Sequence, residues 1–425
     1  MLRLLRSITL TWWIFIGMAV GILVGWLWPD IGAATKPLST TFLRMIKSVV
    51  VPIIFGTLVV GIAGHGDDLK RLGRLALKSI AYFWVMTTVA LAVGLLAVNI
   101  TRPGVGVVLP PPDPNAPIPA AAPTTFDGFL QHVVPQSVFE AAVHNEVLQV
   151  VFWGTLFAIA LTQVRGRPKQ AMLDLCEGLM EVMFKFVAIV MKFAPIGIGA
   201  AMAVTVSHSG IQVLRNLGLL VATLYGSLIV FALVALLPAA LLARIPLRRF
   251  VLAVKDPAII AFTTTSSDAA LPLAMQRMTE FGVPRSIVAF VMPTGYSFNL
   301  DGSTLYLGVA SLFVAQAAGV HMSVGQQLVM MLTLLVTSKG IAAVPRASLV
   351  VLSGTLTAFG LPLEGVAVIL GVDELMDMAR TMVNLVGNCL ATAVMARWEG
   401  ELVTEPAPAA GAAPARTVAA APSDA

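Results

Sequence analysis

Long apolar segments, separated by short polar connections, fill the first 250 residues of the chain. Most of the six segments exceed the ~20 residues that an α-helix needs to cross a bilayer, so we expect tilted, broken or extended spans. The first follows Arg3 and Arg6 as a signal peptide would, but it is long enough to span and no small-residue cleavage site closes it, so we interpret it as a retained span. The predicted spans are Leu10–Trp28, Leu38–Ala63, Ser79–Ile100, Phe129–Gln163, Ala171–Val206 and Val213–Leu242.

Beyond Lys255 the apolar pattern is interrupted by polar and glycine-rich clusters. Non-helical backbone at membrane depth is tolerated only where protein or a water-filled cavity covers it, and paired interruptions point to the binding site of a transporter. We predict two re-entrant helical hairpins, about Val254–Phe281 and about Met322–Gly360, and a last span at about Glu364–Trp398. The clusters lie at 263–268, 295–303 and 337–340.

Basic residues fall in every second connection between the predicted spans. The positive-inside rule places these connections, and with them the N-terminus, in the cytoplasm. The opposite loop, Thr101–Asp127, carries only Arg102 and is rich in proline, which predicts an extended external loop. The basic clusters are Arg3/Arg6, Lys70/Arg71/Arg74/Lys78, Arg165/Arg167/Lys169 and Arg244/Arg248/Arg249/Lys255.

Composition excludes a soluble protein, because 58% of the 425 residues are hydrophobic and only 12% are charged, whereas soluble domains carry about a quarter charged residues. The net charge of +5 requires no nucleic-acid partner, and the two cysteines form no metal-binding or disulfide pattern. The sequence contains no Gly-x-Ser-x-Gly, no His-Glu-x-x-His and no phosphate-binding loop, so an enzyme is not expected.

Ionisable residues in the last span mark a candidate site. Asp373, Asp377 and Arg380 are spaced i, i+4 and i+7, which places them on one helical face. The polar stripe continues through Thr381, Asn384 and Asn388. Charged residues within a span face a cavity or each other and mark a substrate or ion path. A structural ion pair that holds helices together is the alternative interpretation.

These side chains suggest a ligand. Arg380 offers a planar fork of donors that suits a carboxylate, and an Asp one turn away suits an ammonium group. Hydroxyls and amides at the tip of a broken helix suit a second carboxylate. Glutamate and aspartate carry this set of groups.

A second candidate site is the segment from Gly295 to Ser303. We expect Gly295 to free the backbone so that carbonyls turn inward, while Asn299 and Asp301 add the hard oxygen ligands that cations such as sodium prefer. An ordinary Asn-x-Asp-Gly turn is the alternative. Thr87 and Thr88, in the third span, could add oxygens, although intramembrane threonines mostly bond to their own helix.

The motifs at Pro293–Leu305 (PTGYSFNLDGSTL), Ser338–Pro345 (SKGIAAVP) and Asp377–Asn384 (DMARTMVN) resemble those of the dicarboxylate/amino acid:cation symporter family, and most closely its bacterial proton–glutamate/aspartate branch. The resemblance covers about residues 10–400. It implies an all-α membrane protein with eight transmembrane helices and two re-entrant hairpins, assembled as a homotrimer whose transport domains move like elevators against a scaffold.

The resemblance also implies a division of the chain and a localisation. We expect a multi-pass protein of the cell inner membrane with both termini in the cytoplasm. The predicted divisions are 1–78 (scaffold helices 1 and 2), 79–128 (helix 3 and the proline-rich external loop), 129–250 (helices 4–6), 251–400 (a transport core of hairpin 1, helix 7, hairpin 2 and helix 8) and 401–425 (a disordered tail).

Roles for individual residues follow from the resemblance by position. Arg380 would hold the side-chain carboxylate of the substrate with Ser303 beside it, Asp377 its ammonium, and Asn384 its α-carboxylate. The remaining substrate positions are Thr381, Ser266 and Ser267 at the tip of hairpin 1, and Val344 in the gate of hairpin 2. The cation positions are Gly295, Asn299, Asp301, Asn384, Asn388, Thr87 and Thr88, of which Asn299, Asp301 and Asn388 would be the side-chain ligands of a sodium ion.

The chain departs from the family pattern at several positions. Asn388 stands where sodium-coupled members carry Asp, and the loss of that carboxylate weakens a sodium site. Ala343 and Arg346 replace glycines in hairpin 2. Asp268 and Asp373 are the two candidate proton carriers, since burial in a dry site favours a protonated carboxyl group.

The sequence therefore predicts inward symport of glutamate or aspartate with protons. Sodium is a possible second coupling ion, and no cofactor is expected. A symporter of C4-dicarboxylates on the same fold is the nearest alternative, although Asp377 would repel such substrates. An uncoupled anion channel is a second alternative. The expected partners are the substrate, the lipid bilayer and two further copies of the chain, with no nucleic acid.

Overall fold

A computed structural model describes residues 10–63, 69–109, 134, 136–143, 147–340 and 347–403. Every regular element within these residues is helical, as the apolar segments predict. The helices are Leu10–Leu27, Pro29–Ala34, Lys36–Lys47, Val50–Ala63, Leu69–Thr101, Val138–Val143, Val147–Gln163, Arg167–Met191, Ala194–Ser209, Val213–Phe231, Leu237–Leu242, Leu247–Thr264, Ser267–Phe281, Arg285–Phe298, Asp301–Ala317, Val324–Thr337, Ala347–Ala358, Glu364–Leu370 and Asp373–Trp398, with a π-turn at Ala232–Leu236 and a 3₁₀ turn at Ser338–Gly340.

Several predicted spans are broken or extended. The third span begins earlier than predicted, as part of the helix Leu69–Thr101. The basic residues that were assigned to the preceding connection form the first turns of this helix, and the predicted division at residue 78 falls inside it. The second span breaks between Lys36–Lys47 and Val50–Ala63, and the fifth between Arg167–Met191 and Ala194–Ser209. The proline-rich loop at 110–133 and the tail beyond residue 403 lie outside the described residues.

Two described helices are long and apolar enough to cross a bilayer unaided, namely Arg74–Thr101 and Val213–Leu242. The pair Arg167–Met191 and Ala194–Ser209, bent by 55°, would form a third span. The number of spans that the resemblance implies therefore stays a prediction. Large apolar side chains cover the outside of the bundle, including Leu77, Phe139 and Leu242. Because exposed apolar patches of this extent mark contact with lipid or protein, the bundle has the surface of a membrane protein.

A stripe of small residues lets the first helix approach Ala194–Ser209 closely. A Cβ atom on any of the three glycines of the first helix would collide with backbone of the facing helix. Small residues at four-residue spacing permit such close backbone contact, which is typical of helix packing in membranes. The facing pairs are Gly17 with Pro195, Gly21 with Gly199, and Gly25 with Ala203.

The first predicted hairpin is confirmed as a helix–turn–helix, although its first arm begins earlier, at Leu247. Its arms Leu247–Thr264 and Ser267–Phe281 pack against each other. Thr265 turns the chain with a left-handed backbone (φ +51°), a conformation that costs energy for a β-branched residue. Ser266 then caps the second arm, because its hydroxyl accepts a hydrogen bond from the Ala269 N–H at 3.3 Å.

The second hairpin has arms Val324–Thr337 and Ala347–Ala358, which contact each other. A capping box starts the first arm: Ser323 N–H donates to the Gln326 side chain at 2.8 Å, and Gln326 N–H donates to the Ser323 hydroxyl at 3.3 Å. The predicted tip at 337–340 forms the end of the first arm and the 3₁₀ turn Ser338–Gly340. Residues 341–346, which include the predicted gate, lie outside the described residues.

The centre of the bundle is formed by two helices that follow chain breaks. Asp301–Ala317 follows a break at Asn299–Leu300 and is buried from Asp301 to Ala315. Asp373–Trp398 follows a break at Gly371–Val372 and is buried along most of its length. The long helices Leu69–Thr101 and Val213–Phe231 pack against both of them. The polar motifs therefore lie in the core.

Two of the basic clusters meet at one end of the bundle. Arg74 and Lys78 each place a side-chain nitrogen 2.6 Å from a carboxylate oxygen of Glu399, just past the last helix. Arg397 donates to the carbonyls of Ala243 (3.1 Å) and Arg244 (3.0 Å). The second and fourth basic clusters therefore lie on the same side of the bundle, as the alternation of charge along the chain predicts.

We predict that Glu399→Gln destabilises the protein at neutral pH by about 1 kcal/mol, since ion pairs whose basic partners are open to solvent, as Arg74 and Lys78 are, contribute at most about that much each. Hydrogen bonds from Lys78 and Arg74 lower the pKa of Glu399 below its ordinary value of 4.5. The stabilisation is therefore present above the ordinary glutamate pKa and is lost as the pH falls through the lowered value. Thermal unfolding of wild type and variant in detergent should differ at pH 7 and converge in acid.

Glu181→Gln, at an exposed position, serves as the control and should match wild type throughout. A gap between wild type and Glu399→Gln that persists unchanged in acid would show that charge pairing is not the cause.

Candidate functional site

The site begins where the helix Asp301–Ala317 starts against the middle of the last helix. Gly302 makes this approach possible, because a Cβ atom there would collide with the backbone of Arg380. The contact aligns the two polar stripes, so that Asn299 and Asp301 face Asn388 while Ser303 faces Asn384. The two motifs that the sequence analysis identified separately thus form one continuous polar region.

The first part of the site is a charge cluster on the last helix. Arg380 donates through Nε to Asp377 at 2.8 Å and through its terminal nitrogens to Asp373 at 2.9 and 3.4 Å. Thr381 donates to the same Asp377 oxygen at 3.2 Å. Arg380 and Asp373 are both fully buried. The predicted helical face therefore brings the three charged residues into direct contact.

Tyr306 extends this cluster and was not singled out from the sequence. Its ring lies under the guanidinium of Arg380, 4.1 Å from Cζ to the ring centroid. A cation over an aromatic face is attracted by the ring quadrupole, and more strongly when both are dry. The one available signal was position, since Tyr306 follows Ser303 by three residues and so lies on the same helical face.

Ser303 and Asn384 form a reciprocal pair next to the charge cluster. The Asn384 side-chain amide donates to the Ser303 hydroxyl at 2.9 Å, and the Ser303 backbone N–H donates to the Asn384 side-chain oxygen at 3.2 Å. Both residues are buried. The pair fixes the first turn of Asp301–Ala317 on the last helix.

The second part of the site is a cluster of oxygens around Asp301. Asn299 lies 3.2 Å from Asn388, side chain to side chain. With its amide rotated by 180°, Asn299 also donates to both Asp301 carboxylate oxygens, at 3.2 and 3.3 Å. Thr87 Oγ1 lies 3.4 Å from Asp301. Asn299, Asp301, Asn388 and Thr87 are each 0–1% exposed, so the structure brings these four predicted residues together in a dry setting.

Lys339 enters this cluster from the second hairpin. Its ammonium donates to Thr87 Oγ1 at 2.7 Å and to the carbonyl of Phe298 at 2.8 Å, and the same Thr87 hydroxyl lies 3.4 Å from Asp301. Lys339 is only 7% exposed. In the sequence, Lys339 belongs to the polar cluster at 337–340, and no role was predicted for the lysine. A lysine within an apolar stretch was the signal available.

Gly295 and Thr88 lie beside the oxygen cluster, and their predicted cation roles stay predictions. Gly295 lies within the helix Arg285–Phe298, and its carbonyl accepts the Asn299 N–H at 2.7 Å. A glycine is needed there because a Cβ atom would collide with the side chain of Asn388. Thr88 bonds to its own helix, donating to the Trp84 carbonyl at 2.8 Å, and makes no described contact with the oxygen cluster.

The tip of the first hairpin reaches the same region through Ser267. Its carbonyl accepts a hydrogen bond from the Tyr296 hydroxyl at 3.2 Å, and Ser267 is buried while Ser266 is half-buried. Asp268 belongs to the second arm of the hairpin, but its side chain, like the whole of Val344, lies outside the described residues.

The arrangement is suited to binding a small charged molecule. Three carboxylates (Asp301, Asp373 and Asp377) and two cations (Lys339 and Arg380) lie buried in the described core. Buried charges are tolerated only when they are paired, so a ligand that carries both carboxylate and ammonium groups could exchange partners with them. Within the described residues no three His, Cys, Asp or Glu side chains converge as a metal site.

Comparisons with known proteins agree with this picture. A model of the sodium:dicarboxylate symporter family matches residues 10–398. The chain is 42% identical over 409 residues to a proton/sodium-glutamate symport protein of Geobacillus stearothermophilus, covering 93% of this chain and 96% of that protein. It is 42% identical over 390 residues (91% and 94%) to a proton/glutamate-aspartate symporter of Bacillus subtilis (strain 168). It is 41% identical over 411 residues (95% and 92%) to a C4-dicarboxylate transport protein of Anaeromyxobacter sp. (strain K).

We predict that Gly302→Ala destabilises the protein by about 1–3 kcal/mol, the cost of overpacking a core, because the new methyl group would push the helix start away from Arg380. The measurement is thermal unfolding of the purified protein in detergent.

Gly308→Ala, two turns further along the same helix, is the matched control. A Cβ atom there would lie 3.6 Å from the nearest neighbour, a Leu91 side-chain atom, so the variant should equal or exceed wild type, since alanine favours helix by about 0.5–1 kcal/mol. Equal destabilisation by both substitutions would contradict a special role for the contact with Arg380.

Proposed function

The chain belongs to the sodium:dicarboxylate symporter family, and we propose that it carries glutamate or aspartate into the cell together with protons. Relatives named for glutamate and aspartate symport cover more than nine-tenths of this chain. The observation that carries the proposal is the buried contact of Arg380 with Asp377 and Asp373. It offers separate partners for a carboxylate and for an ammonium group.

Binding of an acidic amino acid exchanges partners within this cluster. The side-chain carboxylate of the substrate takes the fork of Arg380 in place of Asp373, and the substrate ammonium takes Asp377 in place of Arg380 Nε. Arg380 stays paired because guanidinium and carboxylate match in geometry. The polar groups of Ser303 and Asn384 and the hydroxyl-rich tip at Ser266 and Ser267 are then available to the α-carboxylate.

Asp373 is the group that links this exchange to a proton. When the substrate carboxylate occupies Arg380, Asp373 loses its partner at a fully buried position. An unpaired carboxylate in a dry core is costly, and taking up a proton removes that cost. Substrate and proton therefore bind together. Asp268 remains the second candidate carrier by its position at the hairpin tip.

The competing function on this fold is transport of C4-dicarboxylates, which the name of one relative at 41% identity represents. Sequence identity does not separate the two substrate classes, since the glutamate and dicarboxylate relatives match almost equally. The geometry favours the amino acid. A dicarboxylate on Arg380 would leave Asp377 without a cation and next to a like charge.

We propose for the whole protein eight spans with two re-entrant hairpins in a homotrimer of the inner membrane, with both termini cytoplasmic. The meeting of two basic clusters at the end of the last helix supports this orientation through the positive-inside rule. We further propose that residues 251–400 move as an elevator-type transport core. The packing of Leu69–Thr101 and Val213–Phe231 against the buried helices supports including these two helices in the moving part.

Proteoliposomes that contain the purified protein should accumulate labelled aspartate when an inward proton gradient is imposed without sodium. Excess glutamate should suppress this uptake and excess succinate should not. Asp377→Asn should weaken aspartate uptake at least tenfold, because the ammonium loses its partner, without weakening any uptake of succinate. Strong competition by succinate would instead establish a dicarboxylate symporter, and equilibration without accumulation would establish a channel.

Asp373→Asn should abolish accumulation driven by a proton gradient while retaining exchange of external labelled aspartate for internal unlabelled aspartate, because the substrate site survives and the proton site is lost. Asp30→Asn, at an exposed position, is the control and should behave as wild type in both assays. If Asp373→Asn still accumulates aspartate with protons, Asp268 becomes the carrier to test.

A further inference from the structure

Lys339 places its ammonium on the Thr87 side of the oxygen cluster, where a free cation would otherwise be suited. We propose that its ammonium is a tethered cation, which stands permanently where an alkali metal ion would bind, so that the substrate site is formed without sodium. The consequence of this proposal for transport rests on the proposed symport. The role that it gives to Lys339 is one that symport of acidic amino acids does not by itself require.

The surroundings of the ammonium are those of a monovalent cation. A hydroxyl (Thr87, 2.7 Å) and a carbonyl (Phe298, 2.8 Å) accept its hydrogen bonds, and the carboxylate of Asp301 contacts the same hydroxyl. These three groups come from different elements, which converge on one point. Oxygens of these kinds are the ligands of hard cations, and an ammonium with three N–H donors uses the same acceptors.

The backbone adds further negative potential at this point. Phe298 is the last residue of its helix, so its carbonyl belongs to the negative end of the helix dipole and has no partner one turn further on. The Thr87 hydroxyl has two acceptors for its proton, the Phe83 carbonyl at 2.6 Å and Asp301 at 3.4 Å. Its lone pairs are therefore available to the Lys339 ammonium, and the position attracts a positive charge.

The charge balance excludes a second cation at the same point. Asp301 is the acidic side chain of the cluster, and the Lys339 ammonium shares the Thr87 hydroxyl with it, at 2.7 Å from Lys339 and 3.4 Å from Asp301. A sodium ion there would repel the ammonium and leave a net positive charge in a dry core. The residues that the family resemblance assigned to sodium thus do not fit that ion while Lys339 is in place.

A purely structural salt bridge is the competing explanation, and it makes a different prediction. If the lysine is only structural, its removal leaves a buried, unpaired carboxylate. The stability of each Lys339 variant should then fall by the same amount in sodium and in choline salts. Removing a tethered cation leaves an oxygen-lined vacancy with a net negative charge, which a free cation of the right size then fills. A specific response to sodium is therefore the diagnostic readout.

The test uses the full chain, purified in detergent, in choline chloride or sodium chloride at equal ionic strength. Thermal unfolding without substrate and aspartate binding by calorimetry are measured for wild type, Lys339→Met and Lys339→Ala. Wild type should unfold at the same temperature in both salts. Lys339→Met should unfold at a lower temperature in choline, regain stability saturably with sodium, and bind aspartate at least tenfold more tightly in sodium than in choline. Methylammonium chloride should replace sodium for Lys339→Ala.

Two controls complete the design. Lys185→Met, which removes an exposed lysine, should behave as wild type in both salts. The double variant Lys339→Met/Asp301→Asn removes both charges, so it should fold in choline and show no response to sodium, which keeps the proposal testable if Lys339→Met alone does not fold.

Absence of any sodium-specific response in the Lys339 variants, or an equal response in wild type, would overturn the proposal. The stability readout needs no substrate. A wild type that fails to transport aspartate while Lys339→Met gains the sodium response would therefore reject the proposed function and retain the tethered cation. Aspartate transport by the wild type, without a sodium response in Lys339→Met, would support the proposed function and reject the tethered cation.

Discussion

The contact on which the rest of the site depends is the close approach of Gly302 to the backbone of Arg380. It brings the start of one broken helix against the middle of another and aligns two polar stripes in an otherwise apolar core. Without it, Ser303 would not meet Asn384, and Asn299 and Asp301 would not lie beside Asn388. Since the approach requires the absence of a single methyl group, the central constraint of the structure is steric rather than electrostatic.

Pairing explains how so many charges can be buried. Each charged group has a partner within hydrogen-bonding distance: Arg380 has Asp373 and Asp377, and Lys339 has Phe298 and Thr87, which also contacts Asp301. Buried charge is tolerated when it is paired and costly when one partner leaves. A ligand that replaces one partner therefore forces the next group to find another or to take up a proton, and the proposed coupling follows from this rule.

The sequence predicted the structure most accurately where the pattern is local. The i, i+4, i+7 spacing of Asp373, Asp377 and Arg380 was sufficient to predict their common face, and the polar interruption at 263–268 was sufficient to predict a hairpin, because helical periodicity and turn chemistry are short-range properties. Boundaries were less well predicted. The helix Leu69–Thr101 includes basic residues assigned to a connection, since charge marks the membrane boundary and not the end of a helix.

What the sequence by itself determined is the membrane class, the alternation of basic connections and the residues of the charge cluster, and its motifs were specific enough to identify the family. Only the tertiary structure decided that Gly295 and Gly302 make room for side chain and backbone, that Tyr306 lies under Arg380, that Thr88 bonds to its own helix, and that Lys339 reaches Thr87 across 252 residues of sequence. The reason is physical: periodicity fixes which residues share a face of one helix, whereas contacts between helices depend on how closely two backbones can approach.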